Sequence, residues 1–479
     1  MTHALFRAVK AYDIRGVVGE DLDPTTLRAL GTAIGEIIAE LGADGHRRLA
    51  VGHDMRESSP GLAAALAAGA AATGTAVDVI GLCSTDQLYF VSGDTGVAGV
   101  MITASHNPAR YNGLKLCRAG AKPVSMDTGL AQIRDRAIEL LGGSSPGTAV
   151  PGIVRHIDTL ADYARHLRSL VPLDAVRPLS VVIDAGNGMA GLTAPAVLGG
   201  AAGLPALPLA LSGLYLDLDG TFPNHEANPL DPTTLVDLQA AVVEQGADIG
   251  LAFDGDADRC FFIDERGAGI DPGAVTALVA RREIARAQAA GEARPGVLYN
   301  LITSSIVPEV VTAAGGSPVR TRVGHSFIKA EMARTGAVFG GEHSAHYYFR
   351  DFYGADSGML AALHVLAALG ETPPGTPLSS LVAQYSHYQR SGEINTRVSD
   401  VAATTARVAQ EMADAAPHAV VDHLDGLMIT DSGGGWWVNV RPSNTEPLLR
   451  LNVEAKTAAD MISLRDRVLG VIRKDGDHV

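Results

Sequence analysis

The chain has 479 residues, of which 47% are hydrophobic, 19% charged and 5% aromatic; the length suits about three domains and the composition a globular chain packed with small residues. Disorder, collagen-like repeats and a small disulfide scaffold are excluded by that balance. The 38 Lys and Arg against 53 Asp and Glu give a net charge of -15, a field that repels nucleic-acid phosphates and anionic membranes, so an anionic ligand needs a locally basic pocket.

At the start, Arg7, Lys10 and Asp13 stand where a signal peptide needs its apolar core. Two uncharged stretches, 61–77 and 186–216, are respectively too rich in Ala and Gly and too broken by Pro195, Pro205 and Pro208 to span a membrane. Cys83, Cys117 and Cys260 are odd in number, far apart and without metal-ligand spacing, which fits a reduced cytoplasm. Short β-branched runs at 49–51, 77–80, 97–102, 181–183, 249–253 and 297–299 are mostly followed by a turn and an Ala/Leu-rich stretch of helical length. That alternation predicts α/β layers with buried strands. The soft segment GGSSPG near 145 predicts the end of a first unit, 1–150. A second unit is expected over 151–253 and a third over 254–372. After GETPPGTP the pattern changes to two helical stretches flanking an apolar, strand-like region, so 373–479 reads as a smaller α+β domain.

Four polar loops can carry chemistry. The first, Thr103-Ala104-Ser105-His106-Asn107-Pro108, follows a predicted strand, where open α/β sheets bind their ligands, and makes Ser105 a candidate nucleophile. As neighbours, Ser105 and His106 are expected to point to opposite faces of a strand and to make a poor nucleophile and base pair. With no G-x-S-x-G elbow either, a serine hydrolase is disfavoured. The second, Asp254-Gly255-Asp256-Ala257-Asp258-Arg259, offers three hard carboxylate donors in one turn, suited to Mg²⁺. An EF-hand is excluded because the sixth position is Arg259 and Cys260, Phe261 and Phe262 follow. The third, from Gly340 to His346, alternates acceptors and donors that could read sugar hydroxyls, and the Gly324-His325 turn upstream lies near Arg320, Arg322 and Lys329. The fourth, from Arg441 to Pro447 with Arg450 beyond, offers a guanidinium, two hydroxyls and an amide as a phosphate cradle.

These loops, in this order and together with Tyr12-Asp13-Ile14-Arg15-Gly16, resemble the α-D-phosphohexomutase family, most closely its bacterial phosphomannomutase/phosphoglucomutase branch, over essentially the whole chain. The resemblance implies three similar α/β domains and a fourth like the TATA-box-binding-protein fold, around a central cleft. It implies a phosphoserine at Ser105 and a Mg²⁺ site of Ser105, Asp254, Asp256 and Asp258, with Arg259 beside the phosphate. Ser105, Lys115, His106 and Arg15 form the candidate catalytic set, Lys115 assisting proton transfer. Glu342 and Ser344 would bind the sugar's 3- and 4-hydroxyls, while Tyr12, His325 and His346 line the cleft. Arg441, Ser443, Asn444 and Thr445 would grip the phosphate not being transferred, supported by Arg450.

Three departures from the branch pattern stand out. The region Asn300-Leu301-Ile302-Thr303-Ser304 lacks a Lys often found there, so that either Arg320 or Arg322 replaces its charge or the pocket is less basic. His343 and Ala345 stand where Met and Gly are common. Thr85-Asp86 replaces a frequent Thr-Pro. The expected activity interconverts hexose 1- and 6-phosphates, mannose first and glucose also, through a hexose 1,6-bisphosphate. Phosphoglucosamine mutase is the nearest alternative, followed by a phosphatase with an Asp nucleophile and a non-catalytic phosphosugar binder. The expected partner is a small phosphosugar in the cytoplasm, with no nucleic acid and no membrane; monomer and dimer both stay open.

Overall fold

Buried aliphatic runs form the centres of the sheets, and their C-terminal ends carry the polar loops. The computed structural model describes residues 4–42, 45, 47–145, 147, 149–442 and 448–475, and for 325, 326 and 475 the backbone only. Among the described residues four sheets follow one another, of seven, four, five and six strands. In the first, Ala98–Ile102 is buried at every residue and lies parallel to Arg48–His53, which lies parallel to Ala76–Leu82. Asp13–Val17 and Tyr111–Arg118 add antiparallel strands on the side of Ala98–Ile102. In the second, Leu179–Asp184 is parallel to both Ile249–Phe253 and Leu209–Leu214. In the third, Gly296–Asn300 is parallel to Ser317–Thr321 and to Phe339–Gly341. The fourth is antiparallel between its main strands Leu427–Thr430, Trp436–Pro442 and Leu448–Ala455, with helices Val401–Ala415 and Ala458–Ile472 on one face.

The sheets divide the chain differently from the composition shifts. Val154–His156 pairs with Ala76–Leu82 and completes the first sheet, so that unit runs past 150. The expected break between 253 and 254 would cut a hairpin, because Cys260–Asp264 is the antiparallel partner of Ile249–Phe253. The acidic loop is the turn of that hairpin and belongs to the second unit. Helix Leu378–Ala383 packs on Pro272–Ala289, which extends the third unit past 372. In each case hydrogen bonding across a sheet or packing between helices overrides a local change of composition.

A continuous apolar cluster joins the first three units, running from Leu88, Phe90 and Met101 through Tyr163 and Leu251 to Phe339 and Leu363. The fourth has its own core, with Val408, Met412, Val440, Leu451 and Ile472. It meets the third through the small cluster Leu301, Ile302, Met428 and Trp437. Cys83, Cys117 and Cys260 are free thiols, all buried. No helix among the described residues is long and apolar enough to cross a membrane.

Candidate active site

The loop after Ala98–Ile102 and the hairpin turn after Ile249–Phe253 meet between the first two units. Ser105 takes a left-handed φ of 51°, and its Oγ donates to Asp254 Oδ2 at 2.9 Å. The backbones touch as well: a Cβ on Gly255 would sit 2.4 Å from the Ser105 carbonyl oxygen, so only glycine fits there. His106 Nδ1 lies 3.2 Å from Ser105 Oγ, contrary to the expectation of opposite faces. The strand ends at Ile102, and the turn that follows brings neighbouring side chains to the same side. Burial holds His106 well below the usual imidazole range, helped by Arg259, Arg15 and Lys115, so it is neutral.

Arg56, which sequence reasoning did not single out, holds this loop from behind. It is fully buried and donates from Nη2 to the Ser105 and Asn107 carbonyls at 2.8 and 2.7 Å, and from Nη1 to those of Pro108 and Tyr111 at 3.0 and 3.1 Å. Its Nε goes to Asp54 Oδ2 at 3.1 Å, so all five donors of the fork are used. The signal was present: Asp54 and Arg56 follow the strand adjacent to Ala98–Ile102 in the sheet, just before a Ser-Pro helix start.

All three aspartates of the hairpin turn are buried and can offer oxygens within 4.8 Å of one another. Lys115 Nζ lies 2.6 Å from Asp256 Oδ2 and 2.5 Å from Asp258 Oδ2. Burial works against its charge, but these two carboxylates outweigh burial and raise it, which keeps the ammonium protonated. Thr85 donates its hydroxyl to Asp256 Oδ2 at 2.5 Å and its N–H to the Asp256 carbonyl at 3.0 Å. Arg259 pairs with Asp254 at 2.9 Å. Asp256 Oδ1 and Asp258 Oδ1 are buried without a hydrogen-bond partner among the described residues. Burial pushes Asp254 upward, with Asp258 and Asp256 adding to the rise against Arg259. Unpartnered oxygens among crowded carboxylates are what a hard divalent cation satisfies, so the residues fit a metal-binding site.

Arg15 joins the same cluster, donating to Asp13 Oδ2 and Asn107 Oδ1, both at 2.7 Å. Burial raises the Tyr12 hydroxyl, with Asp13 and Glu342 adding to the rise against Arg15 and Lys115. From the third unit, His346 bridges the acidic turn and the Gly-Glu loop: Nε2 is 3.8 Å from Asp258 Oδ1, and Nδ1 is 3.6 Å from Glu342 Oε2 and 3.0 Å from Ser344 Oγ. An isolated antiparallel bridge between Arg259 and His346 ties the two loops together. Glu342 is fixed from both sides, accepting from Tyr348 at 2.7 Å and from Asn300 Nδ2 at 3.0 Å.

Asn300 thus occupies the stretch without a lysine, and its amide also contacts His343 Nδ1 at 3.0 Å. Each nearby arginine has a partner of its own. Arg320 pairs with Asp422 of the fourth unit, and Arg322 lies over the Phe327 ring. Asp86 is a knot between units, accepting from Tyr163 at 2.7 Å and Ser357 at 2.6 Å.

On the fourth sheet Arg441 and Arg450 are direct partners in the register of adjacent strands. Arg441 Nη2 and Arg450 Nη1 contact the two carboxylate oxygens of Glu393 at 2.8 and 3.1 Å. Ser443, Asn444 and Thr445 lie outside the described residues, as does the side chain of His325.

Four family models cover the chain in order: phosphoglucomutase/phosphomannomutase alpha/beta/alpha domains I, II and III match residues 7–139, 161–267 and 271–388, and the C-terminal domain matches 393–471. The chain belongs to the phosphoglucomutase/phosphomannomutase family. The phosphohexose mutase of Xanthomonas campestris pv. campestris is 41% identical over 463 residues, 96% of this chain and 97% of its own. The phosphomannomutase of Salmonella typhimurium is 40% identical over 465 residues, with the same coverage of 96% and 97%. A crystal structure of a phosphoglucomutase/phosphomannomutase family protein from Burkholderia thailandensis superposes with a TM-score of 0.83 at 29% identity, over 99% of this chain and 98% of that one. This family member is therefore an intramolecular phosphotransferase that interconverts hexose phosphates.

Proposed function

We propose that the enzyme is a Mg²⁺-dependent cytoplasmic mutase that interconverts mannose 1- and 6-phosphates, and also takes glucose phosphates, through a phosphoserine at Ser105 and a hexose 1,6-bisphosphate. The observation that carries this reading is the Ser105 hydroxyl on Asp254 beside two unpartnered carboxylate oxygens. Ser105, Asp254, Asp256 and Asp258 would hold Mg²⁺, which when bound neutralises charge on the transferring phosphoryl group.

In the forward half-reaction the bond from phosphorus to Ser105 Oγ breaks and one forms to the free hydroxyl oxygen of the hexose monophosphate. The proton lost by that hydroxyl replaces the one that protonated Lys115 is assigned to give to the Ser105 oxygen, which is returned to a hydroxyl. The neutral His106 ring, 3.2 Å from Ser105 Oγ, is within reach of that proton. Arg259 and Arg15 add positive charge next to the serine loop. The bisphosphate then turns over in the cleft, and the second half-reaction returns its other phosphoryl group to Ser105. Glu342 and Ser344 are assigned to the 3- and 4-hydroxyls, His325, His346 and Tyr12 to the cleft wall, and Arg441, Ser443, Asn444, Thr445 and Arg450 to the phosphate at rest. Mannose and glucose differ at C2, which the Glu342 and Ser344 contacts do not read, so both are substrates in this account.

Phosphopeptide mapping of freshly isolated active protein tests the central step. Phosphoserine at Ser105 is expected; active protein labelled on Asp254 instead would replace the mutase by a phosphatase. Comparing kcat/KM for mannose, glucose and glucosamine 1-phosphates tests the substrate, and a strong preference for the amino sugar overturns the ranking.

A further inference from the structure

Along Trp436–Pro442 and Leu448–Ala455, alternate residues divide between two faces of the fourth sheet. Val438, Val440, Leu449, Leu451 and Val453 enter its core. Trp437, Asn439 and Arg441, with Arg450, Asn452 and Glu454, therefore share the other face. That face turns toward the third unit, since Trp437 packs with Leu301 and Ile302, and Glu454 accepts from the Ser305 N–H at 2.9 Å. Arg441 and Arg450 stand directly opposite each other there. Like charges so placed repel, and two long side chains lose much rotamer freedom when they converge on one ligand.

Glu393, between the short strands Gln389–Arg390 and Ile394–Arg397, answers both costs. Its two oxygens each take one guanidinium, at 2.8 Å from Arg441 and 3.1 Å from Arg450, and its side chain is only 24% exposed. The contacts are single N–H bonds rather than closed forks, so further donors remain on each arginine; Arg441 Nε is buried and has no hydrogen-bond partner among the described residues. An isolated surface ion pair contributes little, but one carboxylate spanning two guanidiniums sets their separation and orientation.

We propose that Glu393 is a positioning residue for substrate phosphate: it holds Arg441 and Arg450 together and leaves their remaining donors to the phosphate that is not transferred. The inference rests on the reading of these arginines as phosphate ligands. Pre-ordering them lowers the cost of binding. Because the resting phosphate is held alike in the bound substrate and the transition state, the effect falls on KM and not on kcat.

The test is steady-state kinetics of the full-length enzyme with mannose 1-phosphate, comparing Glu393→Gln, Glu393→Asp and Arg441→Gln, with Tm measured alongside. Glu393→Gln is expected to raise KM about threefold and leave kcat within about twofold. Glu393→Asp keeps the charge but is too short to span both guanidiniums, and is expected to fall between Glu393→Gln and the native enzyme. A native KM in both Glu393 variants, with KM raised in Arg441→Gln, overturns the inference and leaves the phosphate reading standing. A native KM in Arg441→Gln as well overturns that reading and the inference with it. Parallel losses of Tm and kcat at unchanged KM would assign Glu393 a structural role only, and also overturn it.

Discussion

The two ends of the cleft are built on opposite plans. At the Ser105 end one apolar cluster runs through the first three units beside a second confined to the first, and the charges there are buried and paired: Arg56 with Asp54 and the serine loop, Lys115 with Asp256 and Asp258, and Arg259 with Asp254. At the Arg441 end a separately cored domain presents two arginines held by one carboxylate on the sheet face turned toward the third unit, with the Arg450 side chain 35% exposed and that of Arg441 12%. Burial suits the first end, because charge developing in phosphoryl transfer is stabilised most by groups already fixed in a dry site. The partial exposure of Arg450 suits the role proposed for the second, which would take either phosphate of a sugar that turns over, on a domain that meets the third unit through a small apolar cluster and a few polar contacts. The contrast predicts that damage at the first end lowers kcat and damage at the second raises KM.

The largest effect is expected from Ser105→Ala, which removes the proposed acceptor of the phosphoryl group and should lower kcat by roughly three orders of magnitude or more. Substantial mutase activity in this variant would break the comparison at its root. Next comes the metal site. Titrating the chelated enzyme with Mg²⁺ is expected to restore activity and raise Tm by a few degrees, since an ion that binds only the folded state stabilises it by about 2.7 kcal/mol at a hundredfold excess over Kd. Asp256→Asn should blunt both responses, and a Tm indifferent to Mg²⁺ in the native enzyme would count against a cation at the hairpin turn.

Arg56→Lys separates positioning from charge. Lysine keeps the cation but cannot make the five bonds of the fork, so kcat should fall about tenfold and stability by about 2 kcal/mol, with KM within about threefold. A change confined to KM would show that the loop is not held as its hydrogen bonds suggest. The smallest effect is expected from Arg450→Gln at the exposed end, a rise in KM of about threefold with kcat and Tm unchanged. A fall in kcat as large as that of Arg56→Lys would erase the distinction between the ends.

Much of this organisation was legible because it is local. The strand runs at 97–102 and 249–253 correspond to Ala98–Ile102 and Ile249–Phe253, each with its polar loop directly after it. Arg56 was less legible because its partners at Ser105, Asn107, Pro108 and Tyr111 lie some fifty residues away and are backbone carbonyls, which carry no side-chain signature. The Ser105–His106 contact was misjudged by applying strand alternation beyond the strand's end. The break expected before Asp254 missed a cross-strand pairing that composition does not record.

What this sequence determined by itself was the set of chemical groups: a serine at a strand end, three carboxylates spaced to converge in one turn, a Gly-Glu loop and an arginine-bearing loop. Residue type and short-range periodicity suffice for that. Only the tertiary structure decided how the groups are paired: Lys115 with two aspartates some 140 positions away, Glu342 with Asn300, and Glu393 with two arginines. Such pairings depend on which strand ends the folded sheets bring together, and on how far burial strengthens a charge interaction once water is gone; neither is written in any single stretch of chain.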